Sequence, residues 1–304
     1  MTGAYPRDLV GYGAHPPDPR WPNGARLAVQ FVLNVEEGGE ASILHGDAHA
    51  EAYLHEVAGI PALVGVRNLQ IESVYEYGSR AGFWRLLRLF DEYGWKLTIF
   101  AVAMALERVP EAARALVEAG HEIASHGWRW IDYQNVPIEQ ERADMMRAIE
   151  SIRRVTGERP LGWYTGRLSP NTRQLAIEEG GFLYDADAYN DDLPYWVEEQ
   201  GKPHLVIPYT LDVNDMKFGT LQGFNQGQDF FTYAKDAFDE LYREGETAPK
   251  MMSIGLHSRL IGRPGRIAGL RRFLDHIKAH PDVWVCRRVD IARHWIEHHP
   301  WVKP

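Results

Sequence analysis

The chain has 304 residues, 45% of them hydrophobic and 25% charged, so it can bury a large core and does not have the composition of a disordered chain. A net charge of −9 argues against a nucleic-acid partner, and a single cysteine, Cys286, excludes an internal disulfide and a cysteine-based zinc cluster. No apolar run approaches the roughly 20 residues of a membrane span and the N-terminus lacks an export signal, so a soluble cytoplasmic protein with no membrane partner is expected.

Residues 1–24, rich in Pro and Gly, read as an irregular arm. "ARLAVQFVLNVEE" (25–37) is a strand that exits through Glu36 and Glu37. Residues 38–78 are weakly periodic, with a short helix expected at 50–58. "RAGFWRLLRLFDEYG" (80–94) repeats apolar residues every three or four positions and closes on Gly94, which predicts a helix. "KLTIFAVA" (96–103) is a strand, and "PEAARALVEAG" (110–120) opens on Pro and closes on Gly, as a helix does. "HEIASHG" is the next strand and its exit. The chain continues with a helix at 138–156, a strand at 161–166, a helix at 171–179 and strands at 182–189 and 204–211. A helix at 228–244, a strand at 251–257, a helix at 264–280, a strand at 283–288 and a helix at 290–298 complete it.

The rhythm of strand then helix, with spacings that suit right-handed crossovers, predicts an α/β fold: a (β/α) barrel of about seven parallel strands, closed or incomplete. There is no linker, composition break or repeat, so residues 1–304 read as one domain. Active residues of such barrels gather where the strands end. Here those ends carry Glu36 and Glu37, His126, Tyr164 to Arg167, Asp212 to Asp215, and His257.

At these residues the chain resembles the polysaccharide deacetylase (NodB-homology, carbohydrate esterase 4) superfamily, whose members share a distorted (β/α) barrel. Its first motif, usually an aspartate pair of catalytic base and metal ligand, reads "NVEEGGE", with Glu36 and Glu37 in those places. Its second, usually two histidine ligands, reads "SHGWRW", with His126 kept and Trp130 in the other place. An Arg-Pro-rich motif matches loosely as "GWYTGRLSPNT", and the last is kept as "GLHSRL", with His257 in the place of the catalytic acid. Together with "YPRDLVGYG", "YEYGSRAGFWRLL", "DDLPYW", "IPYTLDVNDM" and "IGLHSRLIGRPGR", these departures resemble the cofactor-independent bacterial allantoinases of that superfamily, from residue 5 to about 298. The resemblance implies opening of (S)-allantoin to allantoate in purine (ureide) catabolism, no organic cofactor, and a homo-oligomer, with a tetramer as the expected form.

The residue types fit that chemistry. A catalytic zinc takes about three protein ligands. Glu37 and His126 could supply two, Trp130 cannot ligate, and a third from His45, His49, His55 or His121 stays open, His121 at the wrong end of its strand. A metal-free site is the expectation. Hydrolysis then needs a base, charge stabilisation and an acid. The family pattern makes Glu36 the base, although the sequence leaves the choice between Glu36 and Glu37 open: neighbours on a strand point to opposite faces, but past its end both could face the rim and repel. His126 would donate to, or orient, a carboxylate, and His257 would protonate the departing nitrogen. A ureide ring, with a urea leaving group and ring strain, tolerates loss of a Lewis acid better than plain acetamide does. Trp128, Trp130, Trp163 and Tyr164 are expected to offer flat faces to a small ureide, and Arg167, Asn34, Asn214 and Asp215 hydrogen bonds.

Each group also has an ordinary reading. Glu36 and Glu37 could be a solvated loop pair, His126 a turn histidine, Asp212 and Asp215 turn or cap residues, and Arg167 an ion-pair partner. Arg259 and Arg263 could bind substrate or cap the next helix, and "HWIEHHP" (294–300) reads as a helix end. The rival functions are another cyclic amide hydrolase acting on hydantoins or imides, a metal-dependent carbohydrate or peptidoglycan N-deacetylase, and a non-catalytic binding protein.

Overall fold

The computed structural model describes residues 7–57 and 59–303. Strand β1 (Leu27–Val35) is its centre, and all nine of its residues are buried, as expected of a parallel strand covered on both faces. Its even positions Ala28 and Val32 join Phe100, Ala124, Tyr164, Tyr184, Ile207 and Tyr209 in an interior cluster. Its odd positions Leu27, Val29, Phe31 and Leu33 pack into the helix-covered layer. This two-residue period decides what Glu36 and Glu37 face beyond the strand.

The other strands are β2 (Thr98–Ala101), β3 (Glu122–Ser125), β4 (Gly162–Trp163), β5 (Tyr184–Asp185), β6 (Tyr195–Glu199), β7 (Lys202–Val206), β8 (Lys250–His257) and β9 (Val283–Val285). They form one sheet in the order β6-β7-β5-β4-β3-β2-β1-β8, with β9 beside the start of β1. Every pairing is parallel except that of β6 with β7. The sheet curls into a half-barrel. Across its seam, the chain after β7 meets β8 in one isolated bridge, Asn214 with Gly255.

The helices are α1 (Leu69–Tyr77), α2 (Phe83–Tyr93), α3 (Ala103–Arg108), α4 (Pro110–Glu118), α5 (Ile138–Thr156), α6 (Thr172–Glu179), α7 (Gly227–Glu244), α8 (Pro264–Lys278) and α9 (Arg288–His298). Pro110 and Pro264 open α4 and α8, where a missing N–H costs nothing. None of the helices among the described residues is long and apolar enough to cross a membrane.

Several expectations need correction. Residues 50–57 are irregular rather than helical, residue 58 lying outside the described residues. From residue 7 the N-terminal arm is irregular apart from a short turn at Pro22–Gly24; residues 1–6 lie outside the description. Helix α1 was unexpected. It is capped by the Asn68 side chain, which accepts from the Ile71 N–H, and runs into α2 through a π-helical turn, Gly78–Gly82. Helix α3 and the antiparallel strand β6 were also not anticipated, since each is too short for its periodicity to stand out.

Candidate active site

Parallel strands deliver their C-terminal residues to one rim. Glu36 leaves β1 on the even, interior side. Its Oε1 lies 3.2 Å from His126 Nε2, just past β3, and 3.6 Å from Nε2 of His257, the last residue of β8. Its Oε2 accepts from an Arg259 guanidinium N–H at 2.6 Å. Glu37 leaves on the odd side and lies against Gly78 of the π-turn. Its Oε1 is 3.4 Å from the other terminal nitrogen of Arg259. The two carboxylates therefore face different sides of the chain and meet through one guanidinium.

Arg259 is fully buried. Its Nε donates to the Leu54 carbonyl at 2.9 Å, and its guanidinium lies 4.2 Å from the Tyr75 ring centroid and 5.2 Å from that of Trp130. Carboxylates on two sides and aromatic faces around it make this a fixed, desolvated cation. Trp130 is packed by Tyr53, Tyr75 and the guanidinium of Arg167 at 3.8 Å. The indole in the second histidine's place thus walls a cation within the protein; it is not an open face for a flat ligand.

The electrostatics follow. Burial pushes the Glu36 carboxyl up, but the charges of Arg259 and His257, with hydrogen bonds from His126 and His257, outweigh it and hold Glu36 well below the usual range. Glu37 goes the other way: burial, aided by Glu36, exceeds the pull of Arg259 and raises it. Burial would lower His257, but the Asp215 and Glu36 carboxylates overcome that and raise it to about 9. Burial lowers His126 despite its bond to Glu36. At neutral pH the rim holds a carboxylate, an imidazolium and a neutral imidazole. With His126 Nε2–H donating to Glu36, Nδ1 is an acceptor, and it is buried with no partner among the described residues.

The structure does not give Asp215 a substrate-binding position. Its Oδ1 is 2.6 Å from His257 Nδ1, and its Oδ2 accepts the backbone N–H groups of His257 and Ile261 at 2.7 and 3.0 Å. It orients and charges His257. Asn214 is likewise spent: its oxygen caps the turn at Met216 N–H and its amide donates to the Thr210 carbonyl. Trp128 lies in the core beneath α5, with Met145, Ala148 and Ile152, and Arg147 covers its ring at 3.8 Å. Counting by two from His126 would bring position 128 inward, but the strand ends at Ser125 and Gly127 takes a φ of +75°, so the alternation is broken before Trp128. Trp163 lies in the same outer core.

Tyr164 stays at the mouth, its ring 4.9 Å from that of His126 and its hydroxyl 2.9 Å from that of Tyr189. Asn34 forms the floor, its amide donating to the Tyr209 hydroxyl and the Leu256 carbonyl. Arg167 reaches the rim from above, on Trp130 and 3.4 Å from a Glu51 oxygen. A cavity of about 460 Å³ along the barrel seam shares Tyr189 and Tyr209 with this wall but touches none of Glu36, His126 and His257, so it is separate from the rim cluster.

The superfamily's metal places do not make a divalent-ion site here. Glu37 and His126 belong to no cluster of three ligating side chains among the described residues, and a guanidinium already sits on both carboxylates. His45 bonds the Glu40 carbonyl, His49 the Ala50 carbonyl, His55 the Val57 N–H, and His121 accepts from Leu97 N–H at the far end of β3. Arg259, read from its sequence as a loop arginine that could bind substrate or cap the next helix, instead holds Glu36 and Glu37. Its spacing of two from His257 was the available signal, since alternate residues share a face.

The π-turn packs against both the Glu37 side chain, through Gly78, and the backbone at Ser258, through Gly82. A Cβ on Gly82 would fall 1.9 Å from the Ser258 carbonyl oxygen, backbone between His257 and Arg259. Helix propensity alone makes Gly82→Ala stabilising by about 1 kcal/mol. The clash is expected to win, destabilising by about 1–3 kcal/mol and lowering turnover as His257 and Arg259 shift. Urea unfolding with steady-state kinetics checks this; a more stable, fully active variant would defeat it.

A family profile described as polysaccharide deacetylase matches residues 69–180. A Schizosaccharomyces pombe protein provisionally named a polysaccharide deacetylase is 46% identical, covering 97% of this chain and 98% of its own. Among solved structures, PuuE allantoinase matches with a TM-score of 0.97 at 63% identity, covering 98% of this chain and 99% of that one. A Pseudomonas aeruginosa PAO1 protein provisionally named a polysaccharide deacetylase matches at 0.96 and 61%, covering 98% and 100%.

Proposed function

The chain belongs to the polysaccharide deacetylase family, and from that premise we propose that this hydrolase opens the ring of allantoin to allantoate, without a metal, rather than removing acetyl groups. The observation that carries the reading is the likeness to PuuE allantoinase, 63% identical over 98% of this chain. The rim chemistry supports it. Water adds to a ring carbonyl carbon while Glu36 takes its proton. The C–N bond breaks as His257, charged at neutral pH, protonates the departing nitrogen. The proton on Glu36 then returns to His257 across the 3.6 Å gap, which resets the site. His126 Nδ1 accepts from a ring N–H, and a ureide supplies such donors. Arg259 keeps Glu36 ionised without touching substrate. The leaving urea nitrogen and ring strain lower the barrier that a Lewis acid would otherwise have to lower.

The test is a panel at equal concentration: allantoin, hydantoin, a cyclic imide and an N-acetylglucosamine oligomer. Allantoin is expected to show the highest kcat/KM by far, with no acetate released, before and after chelator treatment. Faster acetate release from the oligomer would overturn the substrate. Activity lost to chelator and restored by zinc would overturn the metal-free step.

A further inference from the structure

Away from the rim, helices α7 and α8 lie side by side, and near their distal ends three side chains converge. His276, in the last turn of α8, and His280, just past the end of that helix, meet Asp239 of α7, each offering a ligand atom within 4.8 Å of the others. His276 Nε2 is 2.6 Å from Asp239 Oδ1, and the two imidazole rings are 4.5 Å apart. We propose that Asp239, His276 and His280 form a zinc-class cation site that clamps α7 to α8, separate from the catalytic rim.

Four features carry it. Two imidazoles and one carboxylate are ligands of the type and number that zinc takes while leaving a position for water. His280 Nδ1 lies 2.8 Å from the His276 carbonyl, the outer hydrogen bond that fixes the tautomer of a ligating imidazole and leaves Nε2 free. Lys235 holds the other oxygen of Asp239, so this carboxylate presents one oxygen. Both imidazoles pack edge-on against the buried Phe238 ring, and His280 against Tyr242 as well, which limits their rotation. Ligand atoms around zinc stand about 3.3 Å apart at ordinary bond lengths, so binding replaces the proton between Asp239 and His276 and widens that contact by a few tenths of an ångström. Helix α8 continues directly from the loop that follows His257 and carries Arg259, so the clamp steadies the support of the rim and supplies no group to the reaction.

The experiment is calorimetric titration of zinc into the untagged, chelator-treated full chain, with thermal unfolding followed with and without the ion. One zinc per chain is expected, with a raised unfolding midpoint. His280→Ala is expected to weaken binding at least about tenfold and to abolish the thermal shift while leaving allantoin turnover unchanged. Asp239→Asn should weaken binding similarly, and His126→Ala should not weaken it at all. No binding to the parent chain would overturn the proposal. So would binding that survives both His280→Ala and Asp239→Asn, or that disappears with His126→Ala.

Discussion

Replacing Arg259 with methionine is expected to destabilise the protein by about 3–5 kcal/mol, the usual cost of removing one partner from a buried ion pair. The cost is at the high end because the guanidinium serves two buried carboxylates at once. Methionine fills the space against Tyr75 and Trp130 but supplies neither charge nor hydrogen bonds. One carboxylate must then take up a proton. Glu37 is already raised by burial, and Glu36 rises once its main source of stabilisation has gone. A protonated Glu36 cannot accept a proton from water, so kcat is expected to fall by about 10²-fold or more. The pH dependence carries a sign. Glu36 is depressed in the folded state, so in the parent it contributes stability that is present above the usual carboxylate range and lost as pH falls through its folded value. In Arg259→Met that contribution vanishes, and the acid limb of the rate profile moves to higher pH. Arg259→Lys should recover part of the stability and little of the rate, because an ammonium is a point charge and not a fork. Urea unfolding and the pH profile decide it. A variant within about 1 kcal/mol of the parent, with an unmoved acid limb, would show that Arg259 does not govern Glu36.

What the sequence revealed and what it hid divide along periodicity. Helix α5 was legible end to end, because nineteen residues of regular apolar spacing close on Gly157 in the left-handed conformation. The rim acids and histidines were legible because a parallel barrel places strand ends together whatever its loops do. Glu36 and Glu37 went to opposite sides, as strand alternation requires. Asp215 and Asn214 lie at the rim with their hydrogen bonds made inside the protein: a sequence shows which residues are polar, not which hydrogen bonds are already made at home. Trp128 went wrong because counting by two from His126 keeps it on the inner face, whereas the chain has left the strand at Ser125 and turns at Gly127 with a positive φ, so counting no longer applies to Trp128 or Trp130. The partners of Arg259 stayed hidden because a buried arginine is rare enough that a loop arginine reads as a substrate-binding or capping residue, and those partners lie more than two hundred residues away. The wall around it depends on Tyr75, from a helix whose pattern was too weak to read.

Asp215→Asn is expected to lower kcat at pH 7 by about 10²–10⁴-fold while leaving the fold intact. The direction follows from what holds the side chain. Two backbone N–H donors, from His257 and Ile261, converge on Oδ2, so the asparagine oxygen must stay there and its NH₂ group must face His257 Nδ1. Nδ1 then becomes an acceptor. The imidazole is held neutral with its proton on Nε2, and the imidazolium that protonates the leaving nitrogen is disfavoured. In the parent, His257 is raised to about 9, above the ordinary histidine value. That contributes stability fully present below about pH 6.5 and lost as pH rises through about 9. The same titration sets the alkaline limb of the rate, which should fall near pH 9. In Asp215→Asn the limb should move down below neutrality, and the pH-dependent stability over the same window should disappear. Measuring kcat and the unfolding free energy from pH 5 to 10 for both proteins tests the two consequences together. An alkaline limb that stays put in the variant would mean that some group other than His257 gives up the proton.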